Sequence, residues 1–320
     1  MPKIEITEPA PRTPVEEGMA SDVAYLKTVF VNVFFSGRPG APSGSWVLID
    51  AGIHGSAPWI LAAAEERFGP WARPAAIVLT HGHFDHVGAL HALLEHWDVP
   101  VYAHPLELPY LTGRSAYPPP DPTVGGGGMA ALSRFYPRGP FDFSGRIQPL
   151  PADGSVPGMP GWRWIHTPGH TPGHISLYRD SDRSLIAGDA FVTTRQESAI
   201  SALTYKPEMH GPPAYFTPDW ISARRSVEQL AALEPWRVAT GHGPPLEGPE
   251  MLDDLKRLAR GFDRLAVPKR GRYVRQPAVA DERGVVEIPP PVPDPLPRIL
   301  LGLGLALVAG AVLRRWARGR

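Results

Sequence analysis

The apolar run Ala76-Ile-Val-Leu-Thr80 delivers the chain directly into His81-Gly-His83-Phe-Asp85-His86. Four side chains able to bind a metal thus fall within six residues, at the end of what reads as a buried strand. They can converge only if the backbone turns sharply, and Gly82 permits that turn. Taken singly, each histidine reads as a surface or satisfied core imidazole. Three His and one Asp at these offsets arise by chance only on the order of once in a thousand such chains. Neutral imidazole and carboxylate suit zinc and similar first-row ions. Cysteine is absent, which excludes disulfides, iron–sulfur clusters, thiolate zinc sites and a Cys nucleophile. Any metal is therefore held by His and carboxylates.

Strand and helix signals alternate around this motif. The β-branched and aromatic run 23–35 predicts one long strand or two short ones, and Trp46–Ile49 predicts another, ending at Asp50-Ala-Gly52. A helix is expected over Ala57–Phe68 with Pro58 in its first turn, and a second over Gly88–Trp97 with Leu90, Leu93 and Leu94 on one face. Strands are expected at Ala76–Thr80, Val99–Ala103, Trp162–His166, Ile175–Tyr178, Leu185–Ala187 and Arg237–Thr240. Helices follow Asp219 to Leu233 and Glu250 to Leu265. The alternation argues for a layered α/β domain. The segment Gly113–Gly161, with ten Pro and ten Gly in 49 residues, reads either as a binding loop or lid, or as a surface insertion. Residues 1–21 read as a flexible or edge-lying lead-in without the features of a signal peptide.

Three more polar loops follow strand-like runs: Trp164-Ile-His-Thr-Pro-Gly-His170-Thr-Pro-Gly-His174, Leu185-Ile-Ala-Gly-Asp189 and Val238-Ala-Thr-Gly-His242-Gly. With His81-x-His83-x-Asp85-His86, the residues His170, Asp189 and His242 complete a set that resembles the ligands of the metallo-β-lactamase fold superfamily. Asp50 matches that superfamily's first motif, and the elements stand in the family's order over about residues 22–265. The resemblance implies an αββα sandwich: two mixed β-sheets face to face, helices outside, metals at one edge. It implies two divalent ions, zinc by preference. His81, His83 and His170 would hold the first, Asp85, His86 and His242 the second, and Asp189 would bridge them. Asp50 would fix the ligand loop by hydrogen bonding, and His174 would support the ligands from beside them.

The activity so implied is attack by a metal-bridging hydroxide on the carbonyl of a small ester, thioester or lactone. Asp85 would be the catalytic carboxylate, orienting the hydroxide and passing a proton to the leaving group. Tyr205 and Tyr215 lie where lactonase-like relatives supply a substrate-polarising tyrosine, with packing in the core as the alternative. The basic residues that bind glutathione in glyoxalase-II-like relatives are not recognisable in residues 243–265. Two other readings stand beside this one: an oxidoreductase of the mononuclear-iron persulfide-dioxygenase type, and a non-catalytic metal-binding membrane scaffold.

The formal charge of zero conceals an asymmetry. Residues 266–320 hold ten Lys/Arg and four Asp/Glu, a balance of +6, so the first 265 residues stand at −6. An acidic body argues against nucleic acid as substrate or partner and leaves a small molecule. Residues 266–298 read as a basic, Pro-rich linker, stiff and extended through the six prolines of 285–298. Ile299–Leu313 is fifteen residues without a charge, and the basic tail 314–320 adds four arginines. As a helix it spans about 22 Å, short of the ~30 Å hydrocarbon core, and Leu296 to Trp316 with snorkelling arginines reaches further. The expectation is a membrane-anchor helix at 299–313 with the catalytic domain on the cytoplasmic face. A homodimer is left open.

Overall fold

The computed structural model describes residues 16–294. Seven strands form the first sheet, in the order β1 (Glu16–Ala20), β2 (Val23–Thr28), β3 (Val31–Ser36), β4 (Val47–Ile49), β5 (Ala76–Val78), β6 (Val101–Ala103) and β7 (Ile147–Pro149). The first four pair antiparallel, whereas β4 to β7 run parallel. The second sheet holds β8 (Trp162–His166), β9 (Ile175–Arg179), β10 (Ser184–Ile186), β11 (Arg237–Ala239) and β12 (Leu246–Glu247), antiparallel except between β10 and β11. A separate hairpin pairs β13 (Val279–Asp281) with β14 (Gly284–Glu287).

The two-residue period of the strands sorts their side chains into layers. Tyr25, Phe34, Val47, Ile49 and Val78 meet Ile175, Leu177 and Ile186 between the sheets. Their neighbours Leu26, Val33, Phe35, Leu48 and Ile77 turn to the opposite face, against Ile60 and Ala64 of helix Ala57–Phe68 and Leu90 and Leu93 of helix Leu90–His96. On the second sheet, Tyr178, Leu185 and Val238 pack under helices Trp220–Ala232 and Gly248–Arg260. Both sheets are covered on both faces, so their central strands read as continuous apolar runs and not as alternating ones. The result is the αββα sandwich expected of the sequence.

Several boundaries move. The run 23–35 is two strands, because Val29 takes a left-handed φ of 67° and turns the chain. Part of the lead-in forms edge strand β1. Gly261 breaks the helix expected to reach Leu265 into Gly248–Arg260 and a final turn, Phe262–Leu265. The largest correction concerns residues 266–298, which are not a linker throughout. A first compact unit extends to Pro289 and a second begins at Pro290, whose described residues 290–294 carry no helix or strand. Tyr273 is 4% exposed and donates its hydroxyl to the Pro119 carbonyl at 2.6 Å. The Ala278 N–H donates to the Pro218 carbonyl at 3.0 Å, and the Val285 N–H to Ser115 Oγ at 3.1 Å. Basic, Pro-rich composition resembles a linker because the partners that bury it lie more than a hundred residues away in places. Among the described residues no helix is long and apolar enough to cross a membrane. The apolar helix expected at 299–313 and the tail 314–320 lie outside the described residues.

A chain ending at Leu265 is expected to unfold more easily than one ending at Asp294, by about 2 kcal/mol or more, because it loses the buried Tyr273 and its bonds. Chemical denaturation of the two chains measures this, and equal midpoints would return 266–289 to the status of a linker.

Candidate metal centre

The loops that follow β5, β8, β10 and β11 carry the seven candidate ligands. All seven side chains are buried, and Asp85, at 6%, is the most exposed. His81 Nε2 lies 3.0 Å from His83 Nδ1, which lies 2.9 Å from His170 Nε2. His242 Nε2 stands 3.5 Å from Asp85 Oδ2 and 3.1 Å from Asp189 Oδ2. Asp189 also reaches His170 Nε2 at 3.4 Å and His86 Nε2 at 3.7 Å. Two overlapping groups of donors result: His81, His83, His170 on one side and Asp85, His86, His242 on the other, while Asp189 also groups with His81 and His86.

The outer bonds of the rings set their tautomers. The Thr80 hydroxyl donates to Asp50 at 2.8 Å, so at 3.1 Å it accepts from His81 Nδ1. The Thr217 hydroxyl donates to the Pro213 carbonyl, so it accepts from His170 Nδ1 at 3.4 Å. His86 Nδ1 donates to Asp50 Oδ2 at 2.8 Å, and His242 Nδ1 to the Phe30 carbonyl at 2.7 Å. Four rings therefore turn Nε2 inward. His83 instead turns Nδ1 toward the cluster. Asp50 also accepts the Thr80 N–H at 2.7 Å. His174 stands behind the group: its Nε2 accepts the Asp189 N–H at 2.8 Å, and its Nδ1 bonds Thr167. That role leaves it no lone pair for an ion.

Electrostatics divides the donors. Burial, helped by neighbouring imidazoles, holds His81 and His83 well below the ordinary imidazole range. Burial pushes His170 down to about 3, against the pull of Asp189. At His86 burial also opposes charge, but Asp50 and Asp189 outweigh it and raise the group well above its usual value. His242 is raised in the same way by Asp189 and Asp85. Burial raises Asp85, while at Asp189 His242 and His86 overcome burial and hold the carboxyl well down.

Two features test the fit of a metal. His86 Nε2 and Asp189 Oδ1 are buried without any hydrogen-bond partner, a costly state for two such atoms unless a ligand occupies the space they face. A Cβ on Gly241 would stand 2.1 Å from Asp189 Oδ1, so only glycine leaves that oxygen its place. The donor set fits ions that accept nitrogen and oxygen. The turn at Gly82 works differently from the sequence expectation. Its φ lies outside the left-handed region, and a Cβ there would come within 2.5 Å of Tyr117 Oη. Glycine is required there for close approach and not for the turn.

That approach leads to residues the sequence analysis missed. Glu107 is fully buried and accepts the Gly82 N–H (2.9 Å), the Thr171 hydroxyl (2.7 Å), the Gly173 N–H (2.8 Å) and the Tyr117 hydroxyl. One carboxylate thus ties the His81–His86 loop to the His170–His174 loop. Asn32, also fully buried, donates to the Thr240 and Gly243 carbonyls that flank His242, at 2.9 and 2.8 Å. A lone acid in an apolar stretch and a lone amide in a strand were the available signals. Of the two tyrosines, Tyr205 donates to Asn32 Oδ1 at 2.5 Å. Tyr215 is buried beside Phe216 and Ala130. Burial, and after it the charge of Asp85, raise the Tyr215 phenol well above its ordinary range, so it stands within electrostatic reach of the candidate ligands. Phe216 stacks on His83 at 4.4 Å between centroids, and Phe84, Tyr136 and Met129 pack beside it.

Two helix-covered sheets that bring seven such donors together at their strand ends define a metallo-hydrolase scaffold. The chain belongs to the metallo-beta-lactamase superfamily, whose family model matches residues 28–242, and it is a metallo-hydrolase. Proteins of this superfamily bind divalent metal ions, typically two. The chain is 50% identical over 253 residues to the probable metallo-hydrolase YflN of Bacillus subtilis (strain 168), covering 78% of this chain and 96% of that one. It is 31% identical over 113 residues to the hydroxyacylglutathione hydrolase GloC of Haemophilus influenzae, covering 35% of this chain and 48% of that one. A solved B3 metallo-beta-lactamase with an active-site glutamic acid shares the fold, with a TM-score of 0.51, 18% identity and coverage of 77% of this chain and 87% of that one.

Glu107→Ala is expected to destabilise the protein by about 2–4 kcal/mol, since it strands several buried donors, and Glu107→Gln by less. Thermal or chemical unfolding of both variants checks the order.

Proposed function

We propose that this metallo-hydrolase adds water to the carbonyl carbon of a small ester, thioester or lactone and breaks its acyl C–O or C–S bond. In this reading His81, His83 and His170 hold one divalent ion, Asp85, His86 and His242 a second, and Asp189 serves both, with zinc the preferred metal. The observation that carries it is the inward convergence of imidazole nitrogens and carboxylates around two buried atoms, His86 Nε2 and Asp189 Oδ1, that make no hydrogen bond in the protein. The local likeness to a hydroxyacylglutathione hydrolase supports a thioester or ester among the candidates. The acidic body supports a small molecule over nucleic acid.

When bound, the ions would acidify water and polarise a carbonyl oxygen. The chain's own residues supply the rest. Asp85, the most exposed of the seven, is the carboxylate a substrate meets first, and its oxygens can orient water and hold a proton bound for the leaving group. Phe84, Tyr136 and Phe216 give the approach an aromatic side that keeps water from the apolar part of a substrate. The outer hydrogen bonds of His81, His86, His170 and His242 keep each ring oriented throughout turnover.

Chelation is expected to abolish turnover on a panel of esters, thioesters and lactones, and zinc to restore it. His83→Ala and Asp189→Ala are each expected to lose bound metal and to cut turnover by about 10³-fold. Full activity in either variant, or no hydrolysis by metal-loaded protein on any member of the panel, would sink the reading.

We also propose, from the sequence of residues 299–320, that the chain attaches to the cytoplasmic face of a membrane. The full chain is expected to sediment with membranes, and a chain ending at Asp294 to lose most of that partition. Equal fractionation of the two would remove the anchor.

A further inference from the structure

Two short helices beside the metal centre turn apolar side chains to solvent. Helix Gly128–Leu132 continues into the turn Ser133–Phe135, and its Leu132 and Phe135 are 53% and 75% exposed. Helix Ala199–Thr204 presents Ile200 and Leu203, 76% and 55% exposed. Each pair is spaced three residues apart and so shares a helix face. The helices begin side by side: the Met129 N–H donates to the Glu197 carbonyl at 3.1 Å, and a Cβ on Gly128 would stand 3.5 Å from that of Ala199. The core contacts of these helices are made by other residues, Ala130 against Tyr215 and Phe216 and the buried Ala202. The four large side chains therefore have no role in the core.

The charge around them is equally distinctive. Within 128–138 and 195–208 the charged residues are Arg134, Arg138, Arg195 and Lys206 against the buried Glu197 and the exposed Glu208. The net positive charge of these two segments runs against a body that totals −6 over its first 265 residues. It complements an anionic lipid surface, where each basic residue adds about 1 kcal/mol of attraction. The sequence of 299–320, fifteen uncharged residues followed by four arginines, suits the same partner. One short apolar segment gives only marginal attachment, and stable attachment takes a second signal.

We propose that the face formed by Leu132, Phe135, Ile200 and Leu203, aided by the basic residues of the same two segments, docks on the surface of an anionic bilayer. The first helix packs through Ala130 on Phe216, which stacks on His83, so docking sets the metal centre against the membrane. The inference stands apart from the reaction catalysed.

The absence of cysteine makes a direct test available, because one introduced thiol can carry an environment-sensitive fluorophore. Full-length protein labelled at Gly128→Cys is expected to show brighter, blue-shifted emission with vesicles of phosphatidylcholine and phosphatidylserine, and a smaller change with phosphatidylcholine alone. A label at Trp71→Cys, exposed and in the turn that precedes β5, whose far end leads to His81, is expected not to respond. Adding Phe135→Asp and Ile200→Asp to the Gly128→Cys protein is expected to weaken the response about tenfold or more at unchanged metal content. Arg138→Glu with Lys206→Glu is expected to remove its dependence on phosphatidylserine. Sedimentation with vesicles without a change at position 128, or an equal change at position 71, would overturn the proposal. A change that appears without vesicles and grows with protein concentration would overturn it in favour of a second copy of this chain.

Discussion

A single buried carboxylate, Asp50, joins the end of β4 to the end of β5 and aims the ring of His86. It is wholly enclosed and sits at a left-handed φ of 61°, a conformation that short polar residues tolerate better than most. Its three bonds go to groups that water cannot reach, so its removal would leave each of them unpaired in the interior. Glu107 does the same for the two loops that carry His81–His86 and His170–His174. The metal centre is therefore held from behind by carboxylates outside the ligand set. His81, His86, His170 and His242 keep Nε2 inward because Thr80, Asp50, Thr217 and the Phe30 carbonyl take up their Nδ1 atoms.

That division of labour explains the electrostatics. At His81, His83 and His170 burial outweighs the pull of Asp189 and keeps the rings neutral and ready to donate lone pairs. Where carboxylates gather, at His86 and His242, the same burial is outweighed and the rings favour a proton. A cluster with both characters can exchange protons for divalent cations, which is the property a metal-dependent hydrolase needs. The apolar surface beside it is divided as well. Phe84, Tyr136 and Phe216 border the centre, and Leu132, Phe135, Ile200 and Leu203 look outward from neighbouring helices.

Much of this was legible in the sequence. Helix Ala57–Phe68 and strand Trp162–His166 fall where periodicity and turn residues set them, and Asp219 caps its helix through the Ile221 and Ser222 N–H groups. The segment 113–161 was ambiguous because its outcome depends on distant partners. Ile147–Pro149 joins the sheet beside β6, and Tyr117 turns inward to Glu107. Residues 266–289 misled for the same reason, since nothing local announces that Tyr273 will find Pro119. Tyr205 gives its hydroxyl to Asn32, whereas Tyr215 joins the aromatic cluster within reach of the charge of Asp85.

By itself the sequence determined the layered class and the seven metal-competent donors, because strand periodicity and residue type at a strand end are local properties. Only the tertiary structure decided which nitrogen each ring turns inward, that His174 is occupied by the Asp189 N–H, and that Glu107 and Asn32 secure the loops. Those outcomes depend on hydrogen bonds between residues that are often far apart in the chain. A buried donor takes whatever acceptor folding brings to it, and that pairing exists only once the sheets have closed.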